Sequence, residues 1–197
     1  MIVIMNNFYQ IVLNVILSPS VSWIKAKEFG YNWKNLFIFL AFPLIFLSSI
    51  AKVTSVPEES IYSIFSQNFL FIHDTITYSL ALLLASYMIK LLAPKFSSSN
   101  SFNEIYSLFV ISYTPFFLST LIAAIHPSLS IITLVGLVFM VFLFWKGIGI
   151  MLETPDNRKT GFGVLCMLIL FGAIVITGLF VAVIMVVISG NYDMLNM

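Results

Sequence analysis

The chain has 197 residues, of which 60% are hydrophobic and 9% charged, with a net charge of +1. A water-soluble domain carries roughly 25% charged residues, so this chain cannot coat a water-facing surface and must take lipid as its main solvent. The near-neutral charge, with no basic stripe, argues against a nucleic-acid partner, and the lone Cys166 excludes a disulfide framework or a Cys-based metal centre.

From the amino end, no cleavable signal peptide is expected: a basic n-region is missing, and Asn6, Asn7, Gln10 and Asn14 interrupt the apolar run. Residues 5–18 read instead as an amphipathic helix. Phe8, Ile11, Val12, Val15 and Ile16 fall on one face, and Asn7, Gln10, Asn14 and Ser18 on the other. Such a helix lies in the membrane interface or packs on the protein's own bundle. Pro19 ends it. Residues 20–28 read as a second interfacial helix, with Trp23 and Trp33 suited to the headgroup level and Lys25, Lys27 and Lys34 ahead of the first span. Residues 1–34 are thus an amino-terminal interfacial unit.

Residues 35–189 should form a transmembrane domain of five helices, over about 35–51, 69–92, 103–125, 129–152 and 162–189, with a short tail at 190–197. A helix needs about 20 apolar residues to cross a bilayer. Pro43 lies inside the first span and Pro115 near the middle of the third, where a kink is expected around Thr114. Between the first two spans, Ser55-Val-Pro57-Glu58 is a capping box for a short surface helix near 56–66. In the second span, Asp74, Tyr78, Ala81 and Ala85 form a polar-to-small stripe that should face other helices. Ser101-Phe-Asn-Glu104 is a second capping box, opening the third span, and His126-Pro127-Ser128 turns the chain into the fourth. The fifth run exceeds one bilayer and should tilt.

The basic residues set the orientation. Lys25, Lys27, Lys34, Lys90, Lys95, Arg158 and Lys159 fall on one side, Lys52 on the other, and Lys146 lies within a span. The positive-inside rule then makes the amino terminus cytoplasmic and the carboxyl terminus external.

Two polar groups are candidate sites. Glu104, Tyr113 and Lys146 would line an intramembrane pocket near the cytoplasmic side; otherwise Lys146 snorkels and Glu104 only caps its helix. His73, Asp74 and His126 could meet at the outer face, where Glu58 or Glu59 would complete a mixed ligand set, but no ordered His pair organises a metal there. Gly147, Gly149, Gly172 and Gly178 suit close helix packing. No nucleophile elbow, phosphate loop or cofactor motif is present, so neither an enzyme nor a cofactor or metal is expected.

Several features together resemble the Yip (Ypt-interacting protein) family of polytopic membrane proteins. They are Ile16-Leu17-Ser18-Pro19 followed by Trp23, Ala93-Pro94-Lys95-Phe96 before a Ser/Asn loop, and Tyr113-Thr114-Pro115 in mid-span. Trp145-Lys146-Gly147 and Glu153-Thr154-Pro155 complete the set. The resemblance spans nearly the whole chain, most specifically 93–160. It implies a non-catalytic helical membrane protein. Eukaryotic members are associated with Rab-type GTPases and with shaping or trafficking membranes, and carry a long hydrophilic region before the first span. Here that span begins near residue 35, as in short prokaryotic-looking members with no expected Rab partner.

The expected function is therefore that of a membrane-organising or trafficking-type adaptor in a prokaryotic plasma membrane. Its partners would be the lipid bilayer and proteins at the cytoplasmic face, with self-association left open. The alternative is a small transporter or channel whose polar path runs past Asp74, Tyr113 and Lys146.

Overall fold

The structure, a computed structural model, describes residues 9–10, 13–54 and 67–189. Most of the apolar face proposed for 5–18 (Phe8, Ile11 and Val12), together with Asn7 of its polar face, the 55–66 segment with Glu58 and Glu59, and the 190–197 tail lie outside the described residues. The described residues are almost all helical, with short turns between the helices and no strand among them. Five helices are long and apolar enough to cross a membrane.

Helix α1, Pro19–Phe29, starts at the proline, which needs no N–H in a first helical turn. It stops at Gly30, whose φ of 63° lies in the left-handed region that glycine adopts without strain. One face of α1 is part of the protein core. Trp23 and Ala26 are fully buried, whereas Val21 and Ile24 are exposed. Trp23 therefore packs in the bundle and not at the headgroup level, and the preceding Val15 is likewise fully buried. An indole with helices on both sides removes more apolar surface from water and lipid headgroups than one lying flat in the interface.

Helix α2 spans Trp33–Thr54. Asn32 caps it by accepting from the Lys34 backbone N–H at 2.9 Å. Its second turn, Phe37–Ala41, is widened to a π-helix, in which the Phe42 N–H reaches back to Phe37 O. Pro43 supplies the reason: without an N–H it cannot bond the carbonyl of Phe39, four residues earlier. That carbonyl accepts instead from the Tyr9 hydroxyl at 2.9 Å.

Helix α3, Gln67–Leu92, runs into a 3-10 turn at Ala93–Phe96. Helix α4, Phe102–Ala123, is capped by Ser101, and a 3-10 turn at Pro127–Leu129 leads to α5, Ile131–Met151. Helix α6, Asp156–Ser189, has 34 residues, about 51 Å at the usual rise, well beyond a ~30 Å hydrocarbon core.

Polarity decides which helix is central. Helix α4 contains Tyr106, Ser107, Ser112, Tyr113 and Thr114, and every residue from Ile105 to Pro115 is buried. Helix α6 is the most apolar of the five and, with α5, the most open to lipid, with Leu168, Ile176 and Leu179 on its outside. Polar groups are costly in hydrocarbon, so the least apolar span is packed against α2, α3 and α5. Its hydroxyls bond back to their own helix, as Thr114 Oγ1 does to Val110 O at 3.1 Å and Ser107 Oγ to Asn103 O at 2.6 Å.

Helices α4 and α5 form an antiparallel hairpin held close by glycines. A Cβ at Gly136 would overlap Ser119 Oγ, and one at Gly147 would sit 2.6 Å from Leu108 Cδ1 and 2.7 Å from the Trp23 ring. Gly147 is thus the point where α1, α4 and α5 meet. A Cβ at Gly172, by contrast, would meet nothing within 4 Å, so that glycine serves no close helix contact here. Helices α3 and α6 are also antiparallel, with Phe96 stacked on Phe162 at 4.8 Å near one end and Thr77 beside Thr177 towards the other. The inward stripe of α3 includes Ala81 and Ala85, both fully buried.

Candidate functional site: a charged cavity and an interlocked basic face

At the end of the bundle away from most basic residues, the carboxylate of Asp74 takes two partners. Its Oδ2 accepts from Lys52 Nζ at 2.6 Å, and its Oδ1 lies 3.3 Å from His73 Nδ1. The other His73 nitrogen, Nε2, is 3.0 Å from the carbonyl of Gly178 on α6. Both ring nitrogens therefore face oxygen acceptors, one on its own helix and one on α6. Asp74 is largely enclosed, with a side chain 14% exposed, while Lys52 at 54% reaches water. A carboxylate in an apolar span needs such a partner, because unpaired charge in low dielectric is costly.

This group opens onto a cavity of about 490 Å³ between α2, α3, α4 and the start of α5. Ser48, Ser49, Thr120, Ser130 and Thr133 supply hydroxyls to its walls. Below it the rings of Tyr78, Tyr113, Phe116 and Phe117 close together. Tyr78 meets Phe117 edge-on at 5.7 Å, and Tyr113 lies 5.6 Å from Phe117 and 5.7 Å from Phe116.

Of the outer-face candidates, the structure joins His73 to Asp74 but not to His126. The His126 ring is exposed in the α4–α5 turn, where its Nδ1 accepts from the Ser128 N–H at 3.2 Å. Its neighbour Pro127 lines the cavity. Among the described residues no three His, Cys, Asp or Glu side chains converge as a metal site would require. Sequence reasoning missed Lys52 as the partner of Asp74. The signal was there: an acid inside a span calls for a cation at the same depth, and Lys52 was the basic residue assigned to that side.

The other candidate group is not joined by direct contacts. Glu104 accepts from the Ser99 hydroxyl and its own N–H bonds the Ser101 cap, so it works locally at the start of α4. Tyr113 is buried in the ring cluster. Lys146 is exposed on α5, with Nζ 5.8 Å above the Phe142 ring.

Around the basic end, however, distant segments are tied together. Arg158 Nη1 donates to Lys95 O at 3.0 Å and Ser97 Oγ at 3.2 Å. The Ser99 N–H donates to Leu152 O at 2.7 Å, and Ser98 Oγ to Thr154 Oγ1 at 3.0 Å. Lys27 of α1 pairs with Glu153, which holds that exposed carboxyl below the usual range. The Trp33 N–H donates to Asn103 Oδ1 at 3.1 Å. Two non-glycine residues of this face, Ser97 and Glu153, have left-handed backbones, with φ of 55° and 53°. Such conformations persist where surrounding contacts over-determine them.

Five spanning helices, with the least apolar of them packed among the rest, define a multi-pass integral membrane protein. The Yip1 domain family model matches residues 13–179, nearly the whole chain. The chain belongs to the Yip1 domain family. No curated protein and no solved structure matches it.

Proposed function

We propose that this Yip1-family protein is a non-catalytic membrane-organising adaptor that offers its basic end to the cytoplasm as a preformed docking face. The amino terminus is then cytoplasmic, the carboxyl terminus external, and the host membrane a prokaryotic plasma membrane. One observation carries the reading: sequence motifs far apart in the chain converge on this face. Trp23 packs on Gly147, Ser98 bonds Thr154, and Arg158 bonds Lys95. A surface built from four segments and held in strained backbone conformations loses little entropy on meeting a partner.

Photo-crosslinkers at Asn157 and Asn100, both exposed here, test this in intact membranes. The adaptor reading expects a discrete partner crosslink at both positions, and none at Ser128 on the opposite end. Arg158→Ala with Lys27→Ala should weaken it several-fold while the protein remains in the membrane. Crosslinking that is indifferent to position or to the double variant would overturn the assignment.

A second reading, a small transporter or channel, is supported by the cavity at Asp74. The ring cluster of Tyr78, Tyr113, Phe116 and Phe117 lies between that cavity and Lys146, which weighs against a continuous path. Proteoliposomes tight to a broad panel of ions and small solutes would dispose of it. Flux abolished by Asp74→Asn would establish it.

A further inference from the structure

Helix α5 turns one side away from the bundle, and that side changes character along its length. Over its first three turns, Leu134, Val135, Val138, Phe139 and Phe142 bound a wholly apolar hollow of about 580 Å³. A turn further on, a second hollow of about 520 Å³ between α5 and the start of α6 has Lys146, Gly149, Glu153, Asp156 and Lys159 in its lining. Leu134, Val138, Phe142 and Lys146 recur every four residues, so they lie in one row along the helix. Between the two hollows, Lys146 Nζ sits 5.8 Å over the Phe142 ring.

We propose that this row is a binding groove for one anionic phospholipid, its phosphate held between Lys146 and Lys159 and one acyl chain lying along Leu134 to Phe142. The dimensions match. Leu134 to Lys146 is about 18 Å along a helix, comparable with the reach of one acyl chain in a ~30 Å core made of two leaflets.

The charges match as well. Neither Lys146 nor Lys159 is in an ion pair among the described residues. Of the two acids in this lining, Glu153 is already engaged by Lys27. Asp156 opens α6, where the positive end of the helix dipole offsets it. The crevice therefore keeps an excess of positive charge suited to a phosphodiester without a compensating amine.

Gly149 is part of the design. A Cβ there would lie 3.1 Å from Lys159 Nζ and 3.4 Å from its Cε, so the bare backbone lets that lysine lie against α5, and a bulkier side chain would push it off. Lys146 itself sits too deep for ordinary headgroup contact unless it extends towards the interface. A phosphate drawn into the crevice meets it without that extension.

The test uses the full-length protein in detergent and counts retained lipid by native mass spectrometry, with phosphatidylglycerol, phosphatidylcholine and inorganic phosphate as separate probes. The expected result is one phosphatidylglycerol retained at least tenfold more strongly than phosphatidylcholine, and not displaced by millimolar inorganic phosphate. Lys146→Gln with Lys159→Gln should reduce retention about tenfold, and so should Val138→Trp, which fills the hollow without changing charge. The charge-matched control Lys90→Gln with Lys95→Gln should retain lipid as the wild type does. Equal retention of the two lipids overturns the proposal. So does displacement by phosphate alone, or equal loss in the control pair, which would reduce the effect to the general charge of this face. Should the lysine pair fail to fold, Val138→Trp and Gly149→Val carry the decision. Undiminished retention in both would end the idea.

Discussion

At Gly147 a single hydrogen atom stands where any other residue would put carbon into both Trp23 and Leu108. The indole and the α4 leucine are fully buried and have nowhere to retreat. Gly147→Val should therefore destabilise the protein by about 1–3 kcal/mol through overpacking. It should also expose the Pro19–Phe29 helix to protease. Gly161→Ala, where a Cβ meets nothing within 4 Å, is the matched control. Thermal unfolding in detergent reads both, and equal melting temperatures would sink the packing argument.

The same scale governs the pair at Asp74, where the two partners differ in exposure. Lys52→Gln leaves a mostly enclosed carboxylate with His73 as its remaining partner. Asp74→Asn leaves an ammonium that is already half-exposed. Removing one member of a buried pair costs more than removing one of an exposed pair. Lys52→Gln should accordingly destabilise more than Asp74→Asn, by roughly 1 kcal/mol after allowing for the half-exposed lysine. Denaturant titration in micelles checks the order, and the reverse order would contradict the assigned geometry.

Among the elements, α2 shows how a local defect is absorbed by a neighbour. Pro43 orphans the Phe39 carbonyl, the helix widens over Phe37–Ala41, and Tyr9 fills the vacancy from outside the span. Tyr9→Phe should cost about 1 kcal/mol, the usual net value of one such bond. In a Pro43→Ala background, where the substituted residue regains a backbone N–H of its own, the tyrosine should contribute almost nothing. A double-mutant cycle measures that coupling, and additivity of the two changes would mean the hydroxyl does not serve the proline. Proline in a span is easily read from sequence, but its remedy is not, because the donor lies 30 residues away.

For the whole molecule, the basic end and the Lys52 end should face opposite compartments. In a Cys166→Ser background, Ser128→Cys should react with a membrane-impermeant maleimide in intact cells, and Asn157→Cys only after lysis. The opposite pattern would reverse the orientation and move the proposed docking face outside the cytoplasm.

The number of crossings was legible in the sequence because length and apolarity are properties of each stretch taken alone, and a bilayer filters on little else. The family resemblance was legible for a similar reason, since its motifs are local. Which helix is central could be argued from polarity, as α4 shows. Rotation of one rod against another could not. Trp23, read as an interfacial anchor, became core because a glycine on α5 made room for it. Lys52, read as an isolated outer cation, became the partner of Asp74 because α2 and α3 run antiparallel at matching depth. Glu104 and Lys146 share an end of the bundle yet not a contact, since one caps α4 among its own serines and the other points outward from α5. Such outcomes depend on which faces meet, and helices of similar apolarity can meet in many rotations until side-chain shape selects one.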